Sequence, residues 1–317
     1  MKPAFERWLQ QRWYGGEQPG LGLRALAGVY RILAQARVET PVAVGVPVIV
    51  VGNFTPGGTG KTPMVIALAK HLAAAGWRPG VVSRGHGRRG TRPVRVLAET
   101  PVAESGDEPA LIAADAGCPV FVDADRVAAA RAAVAAGCNL IVADDGLQHR
   151  RLARDIEIEV VDAERGYGNG LLLPAGPLRE APRPCDLRVV NGGADADGDW
   201  GMALQLDDAY ALDAPARRRA LSGFSGKTVH AVAGIGHPER FFRALRAQGA
   251  EVVGHAFPDH HDYAPGELEA LPRPLLMTAK DAIKCRGRGL DDAWVVPAQA
   301  VLAPAFYQRV TELLGTA

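Results

Sequence analysis

Lys61 and Thr62 close a glycine-rich stretch, GNFTPGGTGKTP (52–63), in which a lysine and a hydroxyl follow Gly57, Gly58 and Gly60. Residues of these types at this spacing bind phosphate. Glycine backbones turn their N–H groups toward phosphate oxygens, the lysine neutralises the β- and γ-phosphates, and the threonine hydroxyl reaches a Mg²⁺ ion. The stretch departs from the usual G-x-x-x-x-G-K-[ST] loop at one place, because Thr55 stands where the first glycine is expected. That position shapes the entry to the turn, so its loss matters less than loss of Lys61 would. Thr55, Pro56, Gly57, Gly58, Thr59, Gly60, Lys61 and Thr62 are therefore expected to bind a nucleoside triphosphate. The bland alternative is a glycine-rich turn with a chance GKT. An apolar run before the loop and a helical run after it argue against that.

Carboxylates and arginines recur at the ends of other apolar runs. LIVADDGLQHRR (140–151) ends a buried-looking strand in Asp144 and Asp145, where a P-loop fold places the carboxylate that holds Mg²⁺ directly or through water. Strand periodicity does not choose between the two, and Asp-Gly is also a good turn pair. SGDEPALI (105–112) puts Asp107 and Glu108 at a helix start, where capping alone accounts for one of them. Arg84 in SRGHGRRG, Arg126 in VDADRV and Arg179 in LLPAGPLRE have guanidinium forks suited to a substrate that carries phosphate, or to surface ion pairs. FPDHHDY (257–263) gathers Asp259, His260 and His261, although a histidine pair is more often structural than catalytic. GIGHPERF (234–241) lacks the third glycine of a dinucleotide turn. LLMTAKDAIK (275–284) places its lysine one position late for the guanine-reading [NT]-K-x-D.

The elements that must position these groups alternate between short β-rich runs and helices. VPVIVVGN (46–53), RPGVVSR (78–84), CPVFVD (118–123), NLIVADD (139–145) and IEIEVVDA (156–163) read as strands. KTPMVIALAKHLAAAG (61–76) and ADRVAAARAAVAAG (124–137) read as helices between them. This is the pattern of an α/β fold: a P-loop NTPase-type, doubly wound, mostly parallel sheet whose carboxyl edge collects the ligands. KTVHAVAGIG, PERFFRALRAQGA, EVVGHAF, PLLMTAKDAIK and AWVVPAQ suggest a second, smaller α/β domain. The expected organisation is a basic N-terminal segment (1–37), a nucleotide-binding domain (38–198), a polar connection (199–220) and a second domain (221–317).

Composition narrows the function further. The chain has 317 residues, 22% of them charged, and a net charge of +1, which gives no support for a nucleic-acid partner. Cys118, Cys138, Cys185 and Cys285 lie far apart and read as reduced thiols of a cytosolic protein. The start lacks the apolar core of a signal peptide, and the uncharged stretch 40–60 is broken by Pro47, Asn53 and Pro56, which suits a strand and loop rather than a spanning helix. Residues 1–37 differ in kind: Lys2, Arg7, Arg12, Arg24, Arg31 and Arg37 stand among Phe5, Trp8, Trp13, Tyr14 and the run LGLRALAGVYRIL, against only Glu6 and Glu17. Such a segment suits a helix lying on an anionic membrane, and equally a helix docking on the domain that follows.

Taken in order, GNFTPGGTGKTP, SRGHGR, GDEP, DDGLQHRRL, LLPAGPLRE, GIGHPERFF and FPDHHDY resemble one family, the tetraacyldisaccharide 4′-kinases of lipid A biosynthesis, over about residues 45–284. That family's loop likewise has Thr or Ser at the Thr55 place. The resemblance implies ATP- and Mg²⁺-dependent phosphorylation of the 4′-hydroxyl of a tetraacyl glucosamine disaccharide 1-phosphate. It also implies a peripheral enzyme on the cytoplasmic face of the inner membrane. It implies Asp107 as general base supported by His260, Thr62, Asp144 and Asp145 toward Mg²⁺ with Glu180 as a helper, and Arg84, Arg126 and Arg179 toward substrate and transition-state charge. Two departures stand out: His86 replaces a tyrosine in SRGYGR, and Ala279 a glutamate in TEKD. The rival readings are a P-loop kinase of another small molecule and a GTPase-type switch, against which the displaced lysine of TAKD weighs.

Overall fold

A computed structural model of the chain describes residues 2–35, 39–88, 90, 92–193, 196 and 198–315, without the side chains of 2–7 and 35. Readings that rest on the side chains of Lys2, Phe5, Glu6 and Arg7, or on Arg37, Arg89, Ala194, Asp195 and Asp197, lie outside the described residues.

Two helices come first, α1 (Lys2–Tyr14) and α2 (Leu21–Gln35). Then follow β1 (Val48–Gly52), α3 (Lys61–Ala74), β2 (Pro79–Ser83), β3 (Val94–Val96), the short α4 (Val102–Ser105) and α5 (Asp107–Asp115). The chain continues with β4 (Val120–Val122), α6 (Arg126–Ala135), β5 (Leu140–Asp144), β6 (Ile156–Asp162), β7 (Leu187–Asn191) and β8 (Asp199–Leu206). Next are β9 (Ala209–Ala211), β10 (Ala214–Arg219), β11 (Thr228–Ala233), α7 (Pro238–Ala247) and β12 (Glu251–Ala256). The last are β13 (Leu275–Thr278), α8 (Ala279–Cys285), β14 (Ala293–Val296), β15 (Ala298–Leu302) and α9 (Pro304–Gly315).

The strands form a nine-stranded sheet in the order β15-β8-β7-β6-β1-β5-β2-β4-β3 and a six-stranded sheet in the order β10-β9-β14-β13-β11-β12. The interior of each is parallel, with antiparallel strands only toward the edges: β3 and β15 in the first sheet, β9 and β10 in the second. β1 is central and buried along its whole length, as an uninterrupted apolar run with helices on both faces demands. Ile49 and Val51 face the core beneath α3, α5 and α9, while Val48 and Val50 face α6.

The boundaries differ from those expected from sequence. Residues 199–220 are not a connection. β8 completes the parallel run of the first sheet, and β9 and β10 begin the second. The chain end likewise returns to the first sheet, because β15 pairs with β8 and α9 sinks Phe306, Val310 and Leu314 into the core beside Met64 and Leu68. Burial of side chains of that size contributes about 2 kcal/mol each, so the returning segment is integral to the nucleotide-binding unit.

Candidate active site

The loop between β1 and α3 leaves the N-terminus of α3 without a side-chain cap, so its N–H groups remain directed at the loop's interior. Gly60 there has φ 96°, and an added Cβ would lie 2.6 Å from the Asn191 side-chain nitrogen. Only glycine fits. Asn191, at the end of β7, donates to the Thr59 carbonyl at 2.9 Å, and Asn53 donates to the Thr59 hydroxyl at 3.2 Å. The loop is thus held by side chains from two strands before any ligand arrives.

Lys61 is buried, with its ammonium 3.1 Å from Asn53 Oδ1 and 3.5 Å from Asp145 Oδ1. Arg179 reaches the same carboxylate, its Nη1 lying 2.9 Å from Asp145 Oδ2, and its backbone N–H donates to the Phe54 carbonyl at 2.7 Å. Burial opposes charge on Asp145, but Lys61 and Arg179 hold its carboxyl well below the usual range. Asp144 is different. It is buried at the end of β5, accepts from the Ser83 hydroxyl at 3.1 Å, and leaves Oδ1 buried without a hydrogen-bond partner. Burial, with the charges of Glu108 and Asp145, pushes its carboxyl up to about 7.

A cation at this place would answer the orphaned oxygen. Among the described residues no three His, Cys, Asp or Glu side chains converge as a closed metal site. The donors available, Asp144, Asp145 and the Thr62 hydroxyl, suit a Mg²⁺ ion that completes its shell with water and phosphate oxygens. Glu180 does not join them. It accepts from Gln148 at 3.1 Å and from Arg150 at 2.9 Å, and Gln148 also donates to the Asn53 carbonyl. Glu180 therefore buttresses the loop from behind.

Of the remaining arginines, Arg126 is buried at the start of α6, donates to the carbonyls of Asp123 and Ala124, and keeps Nε without a partner. Burial lowers its pKa to about 10 against the pull of Asp145 and Asp144. Arg84, just past β2, is exposed.

Across the cleft, the loop after β12 brings His260 against α5. His260 Nδ1 lies 2.9 Å from each oxygen of Asp107, a contact spanning the two sheets' units. His260 holds φ 61°, an uncommon backbone conformation for a non-glycine residue. Burial would raise the Asp107 carboxyl, yet the His260 hydrogen bond and the charges of Lys280 and Lys284 bring it down to about 2. The same hydrogen bond raises the His260 pKa. The chain neighbours of the Asp107–His260 pair share one space with the glycine-rich loop: a cavity of about 190 Å³ is lined by residues 57–63, Glu108, Asp259, Lys280, His237 and Arg240. A larger cavity, about 390 Å³, lies elsewhere around Glu159, Tyr167, Arg183 and Arg188. Its charged groups are engaged with one another, Tyr167 with Glu159 and Arg188 with Asp199, and it holds none of the phosphate-binding elements.

Sequence reasoning overlooked four contributors. Asn53 and Asn191 carry no motif of their own. Gly236, in the GIGHP turn discounted as a dinucleotide site, packs on the phosphate loop so closely that a Cβ there would sit 2.3 Å from the Gly58 nitrogen. Lys280 was compared with a guanine-reading motif. It is instead a cation of the Asp107–His260 cluster, 2.8 Å from Asp259 and 3.2 Å from Glu108.

The N-terminal helices rest on the segment that carries Arg179. Trp13 donates to the Pro174 carbonyl at 3.0 Å, and the Tyr30 hydroxyl donates to the Arg179 carbonyl at 2.8 Å. α2 also exposes Leu21, Leu26, Val29, Ile32 and Leu33.

Comparison with known proteins agrees with this geometry. The family model for tetraacyldisaccharide-1-P 4′-kinase matches residues 20–315. The tetraacyldisaccharide 4′-kinase of Stenotrophomonas maltophilia is 52% identical, covering 95% of this chain and 95% of its own length. That of Xylella fastidiosa is 49% identical, covering 98% of this chain and 93% of its own length. A crystal structure of Aquifex aeolicus LpxK in complex with ATP superposes with a TM-score of 0.73 at 26% identity, over 92% of this chain and 98% of that one.

Proposed function

This chain belongs to the tetraacyldisaccharide 4′-kinase family, and on that premise we propose how its own residues divide the work. It is an ATP-dependent kinase of lipid A biosynthesis, and its phosphoryl acceptor is the 4′-hydroxyl of an acylated glucosamine disaccharide 1-phosphate. ATP places its phosphates on the loop at 55–62, against Lys61. Asp144, Asp145 and Thr62 would hold Mg²⁺, which would supply neutralisation of phosphate charge there. The observation that carries the reading is the Asp107–His260 contact of 2.9 Å, made beside Glu108, Asp259 and Lys280, which line the same cavity as the phosphate loop.

The acceptor hydroxyl lies between Asp107 and the γ-phosphate. Its oxygen forms the new bond to phosphorus, the β,γ-bridging bond breaks, and ADP leaves with that electron pair. Asp107 takes the hydroxyl proton. A carboxyl held near 2 is far too weak a base to ionise a sugar hydroxyl beforehand. It suffices in a loose transition state, where the hydroxyl becomes acidic only as its oxygen bonds to phosphorus. Arg179, Arg126 and Arg84 are assigned to phosphate charge on the nucleotide and on the substrate.

The test is transfer from radiolabelled ATP to acylated and deacylated disaccharide 1-phosphate in detergent micelles. Label is expected in the acylated lipid at a kcat/KM at least about tenfold higher, given the apolar area the chains bring to the surface. Equal turnover of the deacylated sugar, or a strong preference for GTP, would favour the rival readings.

The acyl chains need a surface, and α2 offers one. Leu21 and Ile32 are 85% and 65% exposed, and Leu26, Val29 and Leu33 extend the same face beside Arg24 and Arg31. An apolar stripe flanked by arginines fits an anionic bilayer surface, and ATP supply puts that surface on the cytoplasmic side of the inner membrane. Full-length protein is expected to float with phosphatidylglycerol vesicles, and the Ile32→Asp, Leu33→Asp double variant is expected to stay behind with a raised lipid KM and an unchanged ATP KM. Equal flotation of both proteins would assign the stripe to a protein contact instead.

A further inference from the structure

Lys280 has no part in the scheme above, yet it sits at the centre of the acid–base cluster. It lies in the first turn of α8, 13% exposed, on the opposite side of the cleft from α5. Its ammonium is 2.8 Å from Asp259 Oδ1, 3.2 Å from Glu108 Oε1 and 3.8 Å from Asp107 Oδ2. It is also 3.4 Å from His260 Nε2. Burial disfavours its charge, but these carboxylates more than compensate and hold its pKa above the ordinary lysine value.

The two sides of the imidazole therefore meet partners of opposite kind. Nδ1 faces a carboxylate, which only accepts, so Nδ1 must carry a proton. The nearest partner of Nε2 is the Lys280 ammonium at 3.4 Å, ahead of Asp259 Oδ1 at 3.8 Å and Glu108 Oε1 at 4.0 Å; an ammonium only donates, so in the neutral ring Nε2 offers it a lone pair. We propose that Lys280 is a positioning residue that fixes His260 as the Nδ1–H tautomer, donating to Nε2 and discouraging a second proton there. His260 then orients Asp107 with one hydrogen bond, and Lys280 limits how readily the ring takes the second proton that would place a full positive charge against the base. The proposal rests on the reading of Asp107 as that base.

Every charged group around the ring bears on this balance. Asp107 and Glu108 face it from α5, Lys280 from α8, and Asp259 from its own loop, while the His86 ring lies 5.2 Å away in the loop after β2. The Asp107 hydrogen bond raises the His260 pKa, and Lys280 is the largest charge opposing that rise. Removing the ammonium should therefore make His260 protonate at higher pH, and the acid limb of kcat/KM should move up with it.

The experiment is ¹⁵N-histidine NMR of the full chain across a pH titration, with His260 assigned by the signals lost in His260→Gln. Above its titration the wild-type ring is expected to show a protonated Nδ1 and a bare Nε2. In Lys280→Met the His260 titration and the acid limb of kcat/KM are both expected to rise by about one pH unit, the size expected for loss of one nearby charge. Lys280→Arg is expected to restore both. A wild-type ring protonated at Nε2 and bare at Nδ1 overturns the proposal without recourse to any Lys280 variant. So does an unchanged His260 titration in Lys280→Met. Failure of the base assignment would look different: Asp107→Asn would keep its turnover while the wild-type tautomer stayed as expected.

Discussion

Lys61→Ala is expected to lower kcat by at least about a hundredfold while leaving the melting temperature within a few degrees of wild type. The side chain is buried, but it is not part of either apolar cluster of the nucleotide-binding unit. Its ammonium is spent on Asn53 and Asp145, at the mouth of the phosphate loop. Removing it leaves Asp145 paired with Arg179 and so costs the fold little. The reaction loses much more, because a charge preorganised toward a transferring phosphoryl group contributes about 3–4 kcal/mol in the transition state, where water cannot replace it at once. Stopped-flow or radiolabel assays at saturating ATP and lipid separate the outcomes. Retention of more than about a tenth of the wild-type kcat would mean that phosphate is not bound where the loop suggests. A large fall in melting temperature would instead assign Lys61 to structure.

The phosphate loop was legible because its function fixes residue types at short range. A glycine at φ 96° and a lysine after it are adjacent in sequence, and the apolar strand β1 announces the element before them. The same holds for Asp144, which ends a strand buried at every position. β8 was hidden for the opposite reason. DWGMALQL buries only Met202 fully, because it lies near the sheet edge beneath the short β15, so neither a continuous apolar run nor a clean alternation marks it. The return of the chain end was equally illegible. A nucleotide-binding unit that closes with residues 298–315 requires knowledge of pairing across a whole intervening sheet.

Lys280 shows a third kind of failure. Its neighbours Asp107, Glu108 and Asp259 lie on other elements, and two of them are on the other side of the cleft. A single lysine in TAKD therefore carried no local sign of its partners. The resemblance supplied Asp107 and His260 without their geometry, and the geometry then supplied the lysine. Glu180 went the other way. The resemblance implied a helper of the metal, whereas its carboxylate is engaged by Gln148 and Arg150.

Asp107→Ala is expected to lower kcat by about a hundredfold or more, and adding His260→Ala is expected to lower it little further. Two roles compete for Asp107, and the structure contains both. As the first residue of α5 it accepts from the Glu108 backbone N–H at 3.0 Å, which is a local helix-start contact. It also receives His260 Nδ1 at 2.9 Å on each oxygen, from a loop more than a hundred residues away. If the helix start were its whole purpose, its loss would cost about 1 kcal/mol of stability and leave kcat nearly intact. If the pair works as a unit, the imidazole acts only through the carboxylate that it orients, so once Asp107 is gone His260 has nothing left to position. Single His260→Ala should then cost about tenfold or more in kcat, and the double variant should match Asp107→Ala within about threefold. Losses that multiply would mean that His260 touches the substrate on its own account. Melting curves on the same four proteins complete the cycle, since a stability loss in Asp107→Ala without a kinetic one would leave the helix start as its only role.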